Sequence, residues 1–272
     1  MGEFLYSLNT STIRPTPLLE KIRIAGAAGY QALEPWNEEI SAFLQEGGSL
    51  ADLRSALRDA GLKVVSMIAL RGWIDAEGEA YEQVLEDCRR RMDQAASLES
   101  PFIVASPPRG PADLERAARR YADLMRLGRQ IGVRPAMEFL GFAEGIKSLA
   151  AARAIAEGSG DPEATIVADT FHLMRGGGSM DDLLTISGDR LAIFHINDLP
   201  AAPPILEQTD ADRVMLGEGI ADLPRVIANL RTIGYRGPLS LELFNRDLWE
   251  QDPLEVARRG LERLKALVEA TD

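Results

Sequence analysis

The chain has 272 residues, of which 46% are hydrophobic and 26% are charged, and its formal net charge is −12 at pH 7. This composition predicts a globular protein with a sizeable core, and no run approaches the ~18 apolar residues of a membrane span. The acidic balance argues against nucleic acid as a partner, because binding phosphates requires a basic surface.

Short apolar runs alternate with longer stretches of helical periodicity along the chain. Eight runs predict strands, at residues 3–9, 30–36, 62–70, 101–106, 134–140, 164–170, 190–198 and 238–244. Helical patterns occupy 17–29, 50–61, 79–99, 111–132, 148–158, 179–187, 223–234 and 252–270. Continuously apolar strands joined by helices indicate a parallel sheet covered by helices. Eight such units predict an α/β fold, a single-domain (β/α)₈ TIM barrel over residues 1–272.

The longest connection without helical periodicity runs over residues 199–220, after the seventh predicted strand. A loop of this length in a compact domain is usually functional. Barrel enzymes place their active sites at the carboxyl ends of the strands, where this loop begins. We therefore expect loop 199–220 to lie over the mouth of the active site. No G-x-G-x-x-G follows the first strand, which argues against a dinucleotide-binding fold.

Charged side chains stand at the ends of four consecutive strands of the predicted barrel. They are Glu138, Asp169, His195 and Glu242. A carboxylate buried alone is strongly disfavoured, and sharing a cation removes that penalty. Three carboxylates and one imidazole suit a single divalent metal ion, Mn²⁺, Mg²⁺, Co²⁺ or Zn²⁺. Singly, each residue has an ordinary structural explanation, such as an ion pair, a backbone contact or a helix cap, and the metal site is predicted from the set.

Seven segments carry a family resemblance: GYQALEPW, SLADLRSAL, AMEFLGF, IVADTFHLMRGG, IFHIND, DADRVMLGEGIADL and GYRGPLSLELFNRDLW. They resemble the xylose isomerase-like TIM barrel superfamily of sugar isomerases and epimerases, which also contains the endonuclease IV barrels. The resemblance is greatest to inosose (2-keto-myo-inositol) isomerases and covers nearly the whole chain. It implies the same four metal ligands and places His172 against the substrate.

The resemblance implies a metal-dependent isomerase of a polyol ketone, either inosose-like or a ketose sugar. The proton would move through a metal-stabilised cis-enediolate, with Glu138 and Glu242 as the acid/base pair. A ketose 3-epimerase and an inosose or 3-oxo-sugar dehydratase or lyase are alternatives on the same metal site. An endonuclease IV activity is disfavoured because it needs many more histidines than two. A non-catalytic barrel is least favoured because the ligand set is intact.

Four residues are predicted to contact the substrate: His172, Arg213, Glu34 and Trp36. Each has a structural alternative. In these alternatives, His172 makes a capping contact at the start of a helix, and Arg213 forms a surface ion pair with a neighbouring aspartate. Glu34 forms an ion pair, and Trp36 packs against other side chains. A further acid, Glu144, falls where related epimerases have a substrate contact, but the inosose-type pattern does not require it.

The single cysteine, Cys88, cannot form an internal disulfide and lies in a helical pattern. An inert thiol of this kind suits a reducing cytoplasm. The first residues also lack the features of a secretion signal. The expected partner is a small polyol ketone or sugar, with neither nucleic acid nor membrane, and the resemblance leaves a homo-oligomer open.

Overall fold

The computed structural model describes residues 3–271, and over these the chain folds as the predicted α/β barrel. The strands are β1 (Leu5–Asn9), β2 (Ala32–Glu34), β3 (Lys63–Val64), β4 (Met67–Leu70), β5 (Phe102–Ala105), β6 (Arg134–Met137), β7 (Thr165–Asp169), β8 (Leu191–Ile196) and β9 (Pro238–Leu241). They pair in parallel in the order β3-β2-β1-β9-β8-β7-β6-β5-β4.

The third predicted strand is interrupted, which gives nine strands where eight were expected. Its first part, β3, pairs with β2, and its second part, β4, pairs with β5. A parallel bridge between Trp36, just after β2, and Ile68 on β4 closes the barrel. The N–H of Ile68 also donates to the carbonyl of Pro35. The (β/α)₈ prediction is therefore confirmed, with the third barrel strand built from two short pieces.

The helices are α1 (Leu18–Ala28), α2 (Asn37–Gln45), α3 (Leu50–Asp59), α4 (Glu79–Ser97), α5 (Leu114–Ile131), α6 (Leu149–Gly158), α7 (Thr170–Arg175), α8 (Leu223–Thr232), α9 (Arg246–Trp249) and α10 (Pro253–Ala270). The α-helix predicted over 179–187 is wrong, because a 3₁₀ helix occupies Met180–Thr185. So short a segment favours the tighter hydrogen-bonding pattern. Within residues 3–271, no helix combines the length and apolar character of a membrane span.

The barrel interior is filled mainly by small and β-branched side chains. The buried members of this cluster are Ala32, Val65, Ile68, Ala69, Val104, Ala136, Val167, Ala192 and Ile193. Side chains two residues apart on a strand point to the same face. Asp169 and His195 each lie two residues beyond an interior residue, so both enter the barrel at its carboxyl end. The same alternation applies to Glu34 and Glu138.

The only cysteine of the chain, Cys88, is buried on α4. Burial raises the pKa of its thiol to about 12. Because the thiolate is the reactive form, we expect iodoacetamide to leave the native protein unmodified at pH 8. Mass spectrometry should show full alkylation only in guanidinium chloride. Rapid labelling of the native protein would contradict the packing of α4 described here.

Candidate metal centre and substrate pocket

The parallel register of β7, β8 and β9 brings three of the predicted ligands together. Asp169 pairs with His195, and His195 pairs with Ser240 on the next strand. Glu242 lies two residues beyond Ser240 and donates its N–H to the carbonyl of Ile196. The three side chains therefore leave adjacent strands at one level of the barrel mouth.

The imidazole of His195 faces two carboxylates with one of its nitrogens unpaired. His195 Nδ1 lies 3.3 Å from Glu242 Oε2 and 3.9 Å from Asp169 Oδ2. Among the described residues this buried nitrogen has no hydrogen-bond partner. One ligand atom from each residue lies within 4.8 Å of the others. A buried polar atom without a partner needs an explanation, and a cation shared with the two carboxylates supplies one.

The opposite nitrogen of His195 is held by Glu34. His195 Nε2 lies 3.0 Å from the Glu34 carboxylate, which also accepts hydrogen bonds from Asn9 and Ser240. Burial opposes the charge of Glu34, but His195 and these donors outweigh burial and lower its pKa. A carboxylate behind a histidine fixes the ring so that the other nitrogen can bind a metal. Glu34 was expected to contact substrate, and the structure places it behind His195, outside the pocket wall.

The fourth predicted ligand, Glu138, faces the same pocket but lies outside the group of three. Its carboxylate accepts a hydrogen bond from the Ser106 hydroxyl. Burial raises the pKa of Glu138, and the positive charge of His195 opposes that rise. In this structure Glu138 is therefore placed as a pocket carboxyl beside the candidate metal centre.

Arg213 from the long loop reaches into the centre of the site and is 1% exposed. Its Nη1 donates to Asp169 Oδ2 at 2.9 Å and to Glu242 Oε2 at 2.7 Å. Its Nη2 donates to Asp210 Oδ1 at 2.7 Å. The pairing with Asp210 is not a surface contact, because the guanidinium is buried and also contacts two of the three candidate ligands.

Burial and neighbouring charges shift the pKa values of Glu242 and His195. Burial raises the pKa of Glu242 to about 7, although His195 and Arg213 offset part of the effect. Burial opposes the protonation of His195, but the charges of Glu242 and Glu34 outweigh it and raise its pKa to about 10. The two groups therefore influence each other's charge across the site.

His172 lies on α7, one turn after Asp169, whose carboxylate accepts its backbone N–H. Its Nδ1 accepts the N–H of Gly141 at 3.1 Å, so we assign the ring proton to Nε2. Burial lowers the pKa of His172 to about 4, which keeps the ring neutral. His172 Nε2 borders the pocket and lies 3.3 Å from Arg213 Nη2, so the Nε2–H and this guanidinium nitrogen are two donors side by side.

The pocket has a volume of ≈ 320 Å³, which suits a small sugar-like molecule. Its wall combines Glu138, His172, Arg213 and Glu242 with aromatic side chains. Trp36, a predicted substrate contact, lies in this wall, with its ring edge-on to Phe244 at 5.8 Å.

Asn9 and Asn197 hold the carboxylates of the site in place. The sequence did not predict a role for either residue. Asn9 Nδ2 donates to Glu34 Oε2 at 2.9 Å and to Glu242 Oε1 at 3.1 Å. Asn197 Nδ2 donates to Asp169 Oδ2 at 3.0 Å. Both are polar residues at or just beyond the end of an apolar strand, which is the signal that could have identified them.

The buried carboxylate of Asp198 organises loop 199–220. It accepts the backbone N–H groups of Leu199, Gly217, Gly219 and Ala221 at 2.8–3.0 Å. A side chain at Gly219 would meet the Asp198 carboxylate at 2.3 Å, so this position requires glycine. Asp198 therefore closes the loop on itself and fixes the segment that carries the pocket arginine.

Replacing Asp198 with asparagine is expected to lower the free energy of unfolding by about 2 kcal/mol, because an NH₂ group would then face backbone donors. Limited proteolysis should cut loop 199–220 faster. The control is Glu207→Gln, which changes an exposed carboxylate of the same loop. Equal stability and equal cleavage in the two variants would contradict the role of Asp198.

The family model described as xylose isomerase-like TIM barrel matches residues 22–267. An inosose isomerase of Bacillus velezensis is 24% identical over 266 residues, covering 95% of this chain and 94% of that protein. A 3-dehydroshikimate dehydratase of Pseudomonas aeruginosa is 26% identical over 258 residues. That match covers 93% of this chain but only 40% of the dehydratase.

Among solved structures, the IolI protein crystallised with a bound zinc atom superposes with a TM-score of 0.92. It is 21% identical in sequence, and the match covers 99% of each chain. At this identity the likeness shows a shared fold.

Proposed function

The chain belongs to the xylose isomerase-like TIM barrel family, and we propose that it is a divalent-metal-dependent isomerase of a polyol ketone. The observation that carries this proposal is the buried group of Asp169, His195 and Glu242, with an imidazole nitrogen that faces two carboxylates and makes no hydrogen bond among the described residues. The inosose isomerase relative supports the substrate class.

Asp169, His195 and Glu242 would hold the metal, and Glu138 is close enough to the pocket to join them or to act on the substrate. The oxygen-rich donor set with one nitrogen suits Mn²⁺, Mg²⁺, Co²⁺ or Zn²⁺. When bound, such an ion polarises the ketone and acidifies the neighbouring C–H.

Glu138 and Glu242 are the proposed acid/base pair. They leave β6 and β9, so they reach the substrate from different sides of the barrel mouth. One carboxyl removes the proton next to the ketone, and the other adds a proton to the former ketone carbon, while the proton of the adjacent hydroxyl passes to the former ketone oxygen.

The remaining pocket residues orient the substrate. The Nε2–H of His172 donates to a substrate oxygen, and Arg213 holds hydroxyl or carbonyl oxygens with its planar guanidinium. The rings of Trp36 and Phe244 pack on the carbon skeleton. Glu34 acts through His195, by fixing the orientation of that ring.

A dehydratase is the second candidate, favoured by the 3-dehydroshikimate dehydratase relative. Removal of the same proton followed by departure of a hydroxyl group would eliminate water. A ketose 3-epimerase uses proton transfer as well and differs in the carbon that is reprotonated.

The products formed from a panel of ketones test the proposal. Metal-loaded protein is incubated separately with an inosose, a ketohexose and 3-dehydroshikimate, and the products are identified by NMR and mass spectrometry. We expect isomerisation of a polyol ketone without change in mass. Loss of water would select the dehydratase, and a change at one stereocentre would select the epimerase. No conversion of any ketone would overturn the proposed function.

A further inference from the structure

The rim of the substrate pocket carries positive charge in a chain whose net charge is −12. Arg71 and Arg109 both line the pocket and both are exposed. They follow β4 and β5, so both stand at the carboxyl ends of barrel strands, on the same face as the candidate metal centre.

Arg109 has no acidic partner. Across residues 3–271 no carboxylate lies within ion-pair distance of its guanidinium, although the chain has 42 acidic residues and 30 basic ones. The guanidinium lies 4.8 Å from the ring centroid of Phe142, and that ring packs edge-on against His172 at 5.3 Å. Arg109 is thus supported by the pocket wall and directs its donors to solvent or to a ligand.

Arg71 is only partly neutralised. Its Nη1 lies 2.8 Å from Glu38 Oε1, and the same oxygen also accepts from Arg91 Nη1 at 2.8 Å. One carboxylate oxygen therefore serves two guanidinium groups. Arg71 also stacks over Trp36 at 5.4 Å, which holds it against the pocket wall.

The base of the pocket has the opposite character. Glu138, Glu242 and Asp210 line it. Three arginines line the pocket, and of these only Arg213 lies among buried carboxylates. The pocket is therefore polarised, with acidic groups around the candidate metal centre and arginines at the rim. A neutral polyol would make no use of the charge at the rim.

We infer that the substrate is a polyol ketone bearing a carboxylate, with the carboxylate held by Arg71 and Arg109 and the ketone directed to the metal centre. This inference rests on the proposed function, since it adds an acidic group to the same class of substrate. Guanidinium groups match a carboxylate with two parallel hydrogen bonds. The opposed charges of rim and base would also fix which end of the substrate enters first.

The test compares an acid with its uncharged ester. Dissociation constants for 3-dehydroshikimate and its methyl ester are measured by titration calorimetry on the metal-loaded protein. We expect the acid to bind at least about tenfold more tightly than the ester. Arg109→Gln and Arg71→Gln should each weaken acid binding by about tenfold and leave ester binding unchanged. Added salt should weaken only the acid.

Arg54→Gln is the matched control. Arg54 is also exposed and without an acidic partner among residues 3–271, but it lines a cavity with Leu5 and Pro238, where β1 and β9 begin, at the opposite end of the barrel. This variant should bind both compounds as the parent does.

Equal binding of acid and ester by the parent, equal losses for both in the arginine variants, or no binding of the acid would overturn the inference. Tighter binding of a ketose phosphate than of the acid would overturn the carboxylate assignment. Hydrogen exchange next to the ketone is followed separately. If hydrogen exchange occurs but the acid is not preferred over the ester, only the carboxylate inference fails. If the acid is preferred but no ketone exchanges hydrogen, only the proposed function fails.

Discussion

Glu242→Gln is expected to lower turnover by about a thousandfold while the barrel stays folded. The amide cannot accept a proton from carbon, and it removes one charged ligand from the metal centre. The amide oxygen and nitrogen still fill the space beside Asn9 and Arg213, which favours a folded variant. Turnover is measured on the ketone that the product panel identifies, and circular dichroism reports the fold.

Glu138→Gln should cause a similar loss, because it removes the partner of the acid/base pair. Glu144→Gln is the matched control, since this exposed carboxylate lies six residues further along the same connection. It should keep activity within about a factor of two, as is usual for surface substitutions. Full activity in Glu242→Gln would rule out the proposed pair.

Asp169→Asn is expected to weaken the binding of Mn²⁺ or Zn²⁺ by at least about a hundredfold, because even residues behind metal ligands contribute 10–100-fold. Asparagine remains a good N-cap, so the start of α7, where Asp169 accepts the N–H of His172, should be kept. Calorimetric titration of the metal-stripped protein measures the affinity, and thermal unfolding checks the fold.

Asp210→Asn is the control for this change. Asp210 also accepts a hydrogen bond from Arg213, but it lies outside the group that contains His195. Its replacement should leave metal affinity within a few-fold of the parent. Equal affinities in the Asp169 and Asp210 variants would mean that the metal does not bind between β7, β8 and β9.

The barrel could be predicted because its signal is local. Apolar runs and helical periodicity mark each unit, and glycine ends several helices, as Gly29 and Gly132 do in left-handed conformations. The interruption of the third strand could not be predicted. Ser66 is the only polar residue between Val64 and Leu70, and which residues pair with β2 or with β5 depends on the curvature of the closed barrel.

The candidate ligands could be predicted because an ionisable side chain at the end of a buried apolar strand is unfavourable unless it has a partner. Their partners could not be predicted, since they are distant in the chain. Glu34 and His195 are separated by 161 positions, and Asp169 and Arg213 by 44. Loop residues carry no periodicity, so only the structure shows that Arg213 is buried among the carboxylates. Glu138 lies outside the group of the other three and accepts a hydrogen bond from Ser106, a placement that strand spacing does not encode.

Hydrogen exchange in D₂O tests most directly whether this site moves protons next to a ketone with the help of a metal. The metal-loaded protein, the chelator-treated protein and Glu242→Gln are each incubated with the ketone that the panel identifies, and deuterium at the α-carbon is followed by NMR. We predict incorporation by the metal-loaded parent, and its loss in the other two samples. Equal incorporation with and without metal, or none in the metal-loaded parent, would contradict the proposed function.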